Sequence, residues 1–358
     1  MSCPYHHLPP TSWWDRAVAN RAPESVNPHL PSAFRISRRS RVASAGSCFA
    51  QHISNALRQR GYDYMVEERA PSFLSPEKAL TYNYGVFSAR YGNVYTTLQL
   101  LQLVQRALGD FSPREQFWTD GEGRWFDLLR PRITPNGFAS RFEAEADCRQ
   151  HLAAVRRVIE SADVFVFTMG LTECWRATVD GTVYPTCPGC GSAGEFDPAK
   201  HEFHNLTVAE TSVHLSDAVD LIRRLNPSIE IVLTVSPVPL IATMEPRHVL
   251  QATTYSKSVL RVAAEELVRQ RPRVHYFASY EIITATRNTR AFIEEDGRTI
   301  AGGGVGAAMA HFFDSFGEDA PSEETPVAAI LNDTPQRATS LVCDEEEFFR
   351  AVGRLRSH

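Results

Sequence analysis

Apolar residues along the chain fall into short runs that alternate with stretches in which they recur every three or four residues. Residues 164–169 form one such run, as expected of a strand that is buried on both faces of a sheet. Phe49, Ile53 and Leu57 instead share one face of a predicted helix, which Gly61 ends. This alternation predicts an α/β fold with a mostly parallel sheet that is covered by helices on both faces.

The same patterns locate the other elements. Strands are predicted at residues 41–45, 164–169, 229–235 and 274–277, and helices at 49–60, 97–108, 143–161, 208–225, 253–269 and 305–313. We expect an N-terminal arm over residues 1–40, a catalytic domain over 41–318 with a lid-like excursion at 178–206, and a C-terminal tail over 319–358.

Segments with candidate chemistry follow the predicted strands. They are residues 46–50, 170–173, 236–248 and 296–299. Because ligands of parallel α/β sheets bind at the carboxyl ends of the strands, we expect a functional site there.

Composition and charge narrow the functional class. The chain has 358 residues, 43% of them hydrophobic, and a net charge of −5 without blocks of like charge. A protein that binds nucleic acid normally carries a stripe of basic residues, and this sequence shows none. No apolar stretch reaches the ~20 residues that a membrane span needs. Seven cysteines are scattered along the chain, and no signal-peptide pattern is found at its start. We therefore expect a cytoplasmic protein with reduced thiols, no nucleic-acid partner and no membrane span.

Gly46, Ser47 and Cys48 lie between a predicted strand and the start of a helix. Glycine allows a sharp turn there, and the amides at a helix N-terminus favour the thiolate form of a cysteine. Such a turn can present a nucleophile and part of an oxyanion hole. The alternative is a small turn that only packs the helix against the sheet.

The run Gly-Ser-Cys-Phe-Ala at residues 46–50 resembles the signature of the GSCFA family, which is similar to the SGNH/GDSL hydrolases. Further stretches resemble the same family, at residues 170–175, 184–189, 201–205, 236–239 and 255–261. The resemblance covers roughly residues 40–315, and it implies a flavodoxin-like, SGNH-type three-layer sandwich.

The resemblance also implies roles for individual residues. It places Cys48 at the nucleophile position, with Ser47 as the competing nucleophile or a substrate-binding group. Gly170 and Thr172 correspond to the block that contributes to the oxyanion hole. Glu173 would orient a histidine or bind substrate, and a simple cap of the next segment is the alternative.

The last block of the superfamily, Asp-x-x-His, corresponds to Asp296–Thr299, so threonine stands where the histidine is expected. Asp296 remains a candidate to orient a base. His248 is the first choice for that base, and His201 and His204 on the excursion are alternatives. Further candidate substrate-binding residues are Asn83, Asn93 and Arg298. Lys257 and Arg261 are interpreted as solvated or ion-paired, with an anionic substrate as the alternative.

Cys187, Cys190, His201 and His204 have a spacing that could hold a structural zinc ion. This is the weaker interpretation, and we expect no cofactor. The leading hypothesis is an acyl hydrolase (esterase or thioesterase) or acyltransferase that forms an acyl-enzyme on Cys48. The resemblance points to a small-molecule or glycan acyl substrate, such as an O-acylated carbohydrate. The alternative is a degenerate scaffold that binds a glycan or a protein. The oligomeric state stays open.

Overall fold

The structure is a computed structural model that describes residues 3–29, 34–190, 194–284 and 289–318. The strands of these residues are β1 (Val42–Gly46), β2 (Phe117–Thr119), β3 (Trp125–Asp127), β4 (Val164–Met169), β5 (Glu173–Ala177), β6 (Val183–Tyr184), β7 (His201–Asn205), β8 (Glu230–Val235) and β9 (Val274–Phe277). The α-helices are α1 (Ala50–Gln59), α2 (Pro76–Thr81), α3 (Thr97–Leu108), α4 (Arg141–Ser161), α5 (Val208–Leu225), α6 (Val249–Gln270), α7 (Ser279–Thr284), α8 (Thr289–Phe292) and α9 (Gly302–Phe316). Single helical turns precede β1 at Pro4–His7, Pro10–Ser12, Asp15–Ala19 and Pro23–Ser25.

A parallel four-stranded sheet forms the centre, in the order β1-β4-β8-β9. The extended segment at Tyr64 adds a parallel bridge to Val42, with backbone hydrogen bonds from Val42 to Asp63 and from Met65 to Val42. Counted with this segment, the sheet has the 2-1-3-4-5 strand order of flavodoxin-like folds. All residues of β1 and β4 are buried, as the apolar runs predict.

Helices cover this sheet. Helix α1 packs on β1, helices α3, α4, α5 and α6 pack against one another, and α6 also contacts β8. The structure thus confirms the predicted α/β class and a flavodoxin-like three-layer fold. None of the described helices is both long and apolar enough to cross a membrane.

The predicted lid-like excursion at 178–206 is more regular than its glycines and prolines suggest. Its strands β6 and β7 flank β5 in an antiparallel sheet of three strands. β7 pairs with β5 from His201 opposite Ala177 to Asn205 opposite Glu173. The aromatic ring of Trp175 packs against Phe203 at 5.8 Å, which secures the pairing.

The described residues divide into two compact units, one with residues up to 37 and from 277 onward, the other with residues 38–276. Within the first unit, the predicted N-terminal arm pairs with the last helix. Ile36 N–H donates to Phe316 O at 2.6 Å, and Arg35 Nη1 donates to Ser315 O at 2.8 Å. The predicted tail at 319–358 lies outside the described residues.

Candidate functional site

A cleft lies at the carboxyl ends of β1, β4 and β8, where the sequence predicts a site. It is lined by Ser47, Cys48, Tyr95, Gly170, Leu171, Ser236, Val238, Pro239 and Leu240. The segments after three neighbouring parallel strands therefore converge, as expected of this fold class.

Gly46 shapes the turn that leads into the cleft. Its φ is +142°, and a Cβ atom added there would lie 2.3 Å from the Thr168 carbonyl oxygen of β4. No side chain fits so close to the backbone of a neighbouring strand, so this position requires glycine. Ser47 N–H donates to the same Thr168 oxygen at 3.0 Å, which fixes the direction of the chain as it leaves β1.

Cys48 lies at the start of helix α1. Its side chain lines the cleft although the residue is only 5% exposed. The first helical hydrogen bonds follow directly, from Ala50 N–H to Ser47 O and from Gln51 N–H to Cys48 O. Amides in the first turn of a helix create a positive end that favours a thiolate. The thiol is thus both in the cleft and in an environment that can activate it.

Ser47 offers a hydroxyl group to the same cleft. The residue is 2% exposed, and within the described part of the chain its buried Oγ has no hydrogen-bond partner. Buried hydroxyls without a partner are rare, because losing water without a replacement bond costs about 1–3 kcal/mol. The Ser47 hydroxyl is therefore available to a group that enters the cleft.

Gly170 allows the opposite wall to approach closely. A Cβ atom there would lie 2.9 Å from Cδ1 of Tyr95 and 3.2 Å from Cβ of Ser47. Gly170 N–H donates to Tyr95 O at 2.8 Å, and its carbonyl accepts from Lys257 Nζ at 2.6 Å. Glycine at this place brings the Tyr95 ring and Ser47 together.

Tyr95 is a residue of this site that the sequence reasoning missed, and the bond of Lys257 to Gly170 was not predicted either. Lys257 is 1% exposed, so of the two predicted states, solvated or ion-paired, the solvated one is wrong. Helix periodicity could have predicted its burial, because Leu260 and Ala264, three and seven residues further along α6, are buried on the same side of the helix. Arg261 forms an ion pair with Glu265 at 2.9 Å, which is one of the two states predicted for it.

Thr172, for which the resemblance implies an oxyanion role, does not line the cleft. Its Oγ1 donates to Asn205 Oδ1 at 2.7 Å, and its N–H donates to Ser256 Oγ at 2.9 Å. Glu173 begins β5, and its carboxylate accepts from Thr243 Oγ1 at 2.5 Å. Burial raises the pKa of Glu173. The Thr172 side chain thus bonds a residue of β7 and the Glu173 side chain bonds the loop after β8, and neither residue lines the cleft of Cys48.

His248 caps helix α6. Its Nδ1 accepts from Leu250 N–H at 3.1 Å, and the side chain is exposed. No described histidine lines the cleft of Cys48, so His248 is not placed as its base. An imidazole next to a helix start can satisfy a first-turn amide, and that local bond explains the position.

Asp296 and Arg298 belong to the unit that contains residues from 277 onward. The Asp296 carboxylate accepts from Thr299 Oγ1 at 2.5 Å and from the backbone N–H groups of Arg298 and Thr299. These hydrogen bonds, the Thr299 hydroxyl first, lower the pKa of Asp296. The threonine in place of the expected histidine thus closes a local turn on the aspartate.

The four candidate zinc ligands do not meet, and no described group of three or more such residues could hold a metal ion. His201 and His204 lie three residues apart on β7, so their side chains point to opposite faces of the strand. His201 Nδ1 accepts from Asp197 N–H at 3.1 Å, and His204 Nε2 bonds the Glu210 carboxylate at 2.8 Å. Neither imidazole lines the cleft of Cys48. Asn83 and Asn93 line a different pocket.

Fold and site define a flavodoxin-like α/β protein with a cysteine at the carboxyl edge of its parallel sheet. The sequence matches the model of the GSCFA family over residues 41–312. The chain belongs to the GSCFA family. A search of curated protein sequences finds no match.

Proposed function

We propose that the protein is an acyl hydrolase or acyltransferase that carries the acyl group as a thioester on Cys48. One observation supports this proposal: the Cys48 thiol shares a cleft at the N-terminus of α1 with the Ser47 hydroxyl, which has no hydrogen-bond partner among the described residues. A nucleophile beside a hydrogen-bond donor is the minimum that acyl transfer requires.

In the first step, the Cys48 thiolate attacks the carbonyl carbon of the donor and a C–S bond forms. Negative charge then develops on the carbonyl oxygen, where the Ser47 hydroxyl donates a hydrogen bond and the first turn of α1 adds its dipole. The bond to the leaving group breaks, and that group leaves as a thiolate or alkoxide. In the second step, water or an acceptor hydroxyl attacks the thioester, loses its proton to solvent and releases the Cys48 thiolate.

The chemistry of the leaving group favours thioesters as acyl donors. No histidine is among the described residues of the cleft, and an alkoxide that leaves without a general acid loses about 10²–10⁴ in rate. A leaving thiolate needs no proton, because its pKa is close to that of the attacking cysteine. The acyl acceptor is water or a hydroxyl group, for example on a carbohydrate. In the proposed cytoplasmic location the reducing environment would keep the Cys48 thiol reduced.

Intact-mass spectrometry after incubation with S-phenyl thioacetate tests the proposal. Wild-type protein should gain one acetyl group and release thiophenol, and Cys48→Ala should do neither. Cys3→Ala is the matched control, because it removes an exposed thiol outside the cleft. Ser47→Ala should retain the nucleophile and lose about a hundredfold in rate. Acetylation of Cys48→Ala at the wild-type rate would refute the role of this thiol.

The second candidate function is a degenerate scaffold that binds a glycan or a protein. The observation that favours it is Thr299 at the histidine position, together with the lack of an imidazole among the described cleft residues. Competitive alkylation with iodoacetamide separates the two functions. An activated Cys48 should react faster than exposed Cys3, whereas a scaffold should show the reverse order.

A further inference from the structure

A second pocket lies outside the cleft of Cys48. Its walls include Asn83, Tyr91, Gly92, Leu129, Arg130 and Pro185. Two of these side chains, Asn83 and Arg130, are almost fully buried, at 4% and 2% exposure. Each of the two has a polar atom without a hydrogen-bond partner in the described part of the chain.

Arg130 provides an unused donor whose charge is already balanced. Its Nε donates to Asp127 Oδ2 at 2.8 Å, and its Nη2 donates to Asp147 Oδ2 at 2.7 Å. Arg90 shares Asp147 through its Nη1 at 2.9 Å, so the pairs form one buried network. Nη1 of Arg130 donates to no acceptor among the residues that the structure describes. The guanidinium can thus donate one more hydrogen bond without bringing an unbalanced charge to the pocket.

Asn83 provides an unused acceptor in a fixed orientation. Its Nδ2 donates to the carbonyl oxygen of Arg132 at 2.7 Å, which determines the side of the amide group that carries the oxygen. Oδ1 is buried, and no group in the described ranges of the chain donates a hydrogen bond to it. The residue also has a φ of +59°, a left-handed conformation that asparagine tolerates better than most residues.

An unused donor and an unused acceptor in one pocket select a group that does both. An anion would meet the Asn83 oxygen and find Arg130 already paired with two carboxylates. A cation has no lone pair with which to accept the hydrogen bond that Arg130 Nη1 offers. A hydroxyl group accepts from Arg130 Nη1 and donates to Asn83 Oδ1, and Leu129, Pro185 and the Tyr91 ring supply apolar walls for the carbon next to it.

We propose that this pocket binds a hydroxyl group of a neutral, polyol-type ligand through Asn83 Oδ1 and Arg130 Nη1. The proposal does not require Cys48 to be catalytic. The pocket and the cleft are nevertheless joined by one loop, in which Asn93 lines the pocket and Tyr95 lines the cleft. Val94 N–H donates to Gly46 O at 2.9 Å and anchors this loop.

Glycerol titration followed by amide shifts in ¹⁵N TROSY spectra tests the proposal. The amides of Asn83, Gly92 and Asn93 should shift in a saturable way, and acetate or inorganic phosphate should not reproduce the shifts. A site that holds only an ordered water would show no saturable response to glycerol, and this result would overturn the proposal. Tighter binding of acetate or phosphate than of glycerol would overturn it as well.

Two pairs of variants assign the response to the pocket. Asn83→Gly keeps the positive φ accessible and removes Oδ1, so glycerol affinity should fall about fivefold to tenfold, the worth of one neutral hydrogen bond. Arg273→Gly is its control, since Arg273 also has a positive φ of 57° and donates to a backbone carbonyl, that of Pro227. Equal affinity in Asn83→Gly and wild type would refute the role of Asn83.

Gly92→Asn tests the pocket without removing a hydrogen bond. Gly92 has a φ of +67° and open space at its Cβ position, so asparagine fits the backbone and adds volume at the pocket wall. Gly85→Asn is the matched control, with a φ of +72°, the same open space and no place in the pocket wall. Glycerol binding should weaken in the first variant only. Equal weakening, or none, would count against this pocket.

Discussion

Replacing Gly46 by alanine should destabilise the central sheet at its carboxyl edge, because the substitution is unfavourable both for the backbone conformation and for the packing of this residue. Its φ of +142° is unfavourable for a residue with a side chain. Its new Cβ would lie 2.3 Å from Thr168 O and 2.7 Å from Thr168 N, which are backbone atoms of the neighbouring buried strand. A flexible side chain could move away, whereas the paired backbone of β4 cannot move without breaking the sheet.

The magnitude follows from these distances. A backbone held in a sparsely populated conformation costs about 1–3 kcal/mol. Overpacking in a rigid interior costs about another 1–3 kcal/mol. We therefore expect Gly46→Ala to lose about 2–6 kcal/mol, a large part of the roughly 5–15 kcal/mol that stabilises a typical domain.

Urea denaturation followed by far-UV circular dichroism measures this loss. Gly303→Ala is the control, because that glycine lies in the first turn of α9 and its Cβ would meet nothing within 4 Å. Alanine in a helix should leave stability unchanged or raise it by about 0.5–1 kcal/mol. A Gly46→Ala variant within about 1 kcal/mol of wild type would show that the close approach of β1 and β4 is not a constraint.

Three further predictions concern the buried polar groups. Burial raises the pKa of Glu68, but the contacts with His151 and Arg130 outweigh it and lower that pKa from 4.5 to about 2. As the pH drops from 4.5 towards 2, Glu68 is protonated in the unfolded chain before it is protonated in the folded one, so the free energy of unfolding should fall. Glu68→Gln should flatten this part of a plot of urea midpoint against pH, and a plot identical to that of wild type would contradict the prediction. EDTA should leave the Tm unchanged, whereas His201→Ala should lower the Tm because it removes a ring that packs 5.2 Å from the ring of Trp118. A Tm that falls with EDTA and is restored by zinc would show instead that the protein binds a metal ion. Arg130→Met should cost about 3–5 kcal/mol, because it leaves the fully buried Asp127 without its cation while Asp147 keeps Arg90. Arg156→Met at an exposed pair should cost no more than about 0.5 kcal/mol, and similar losses of the two variants in urea denaturation would refute this difference.

Much of the fold could be predicted from the sequence, because its signals are local. Apolar runs such as that of β4 indicate strands buried on both faces, and a period of three to four residues indicates helices. The alternation of these elements restricts the sheet to a parallel arrangement, and the carboxyl ends of its strands then locate a cleft. The placement of Ser47, Cys48 and Gly170 around that cleft follows from the same reasoning and agrees with the structure.

The partners of the remaining polar side chains depend on contacts between distant segments, which no local pattern encodes. Thr172 and Glu173 directly follow the cleft residues Gly170 and Leu171 in the sequence. They lead into β5, however, which pairs with β7 in a different sheet. His248 bonds an amide of its own helix, and the bond from Lys257 to Gly170 spans 87 residues. The sequence by itself therefore determined which strands and turns line the cleft. Only the tertiary structure decided which side chains face one another, because desolvation makes each buried polar group bind whatever partner the packing brings within reach.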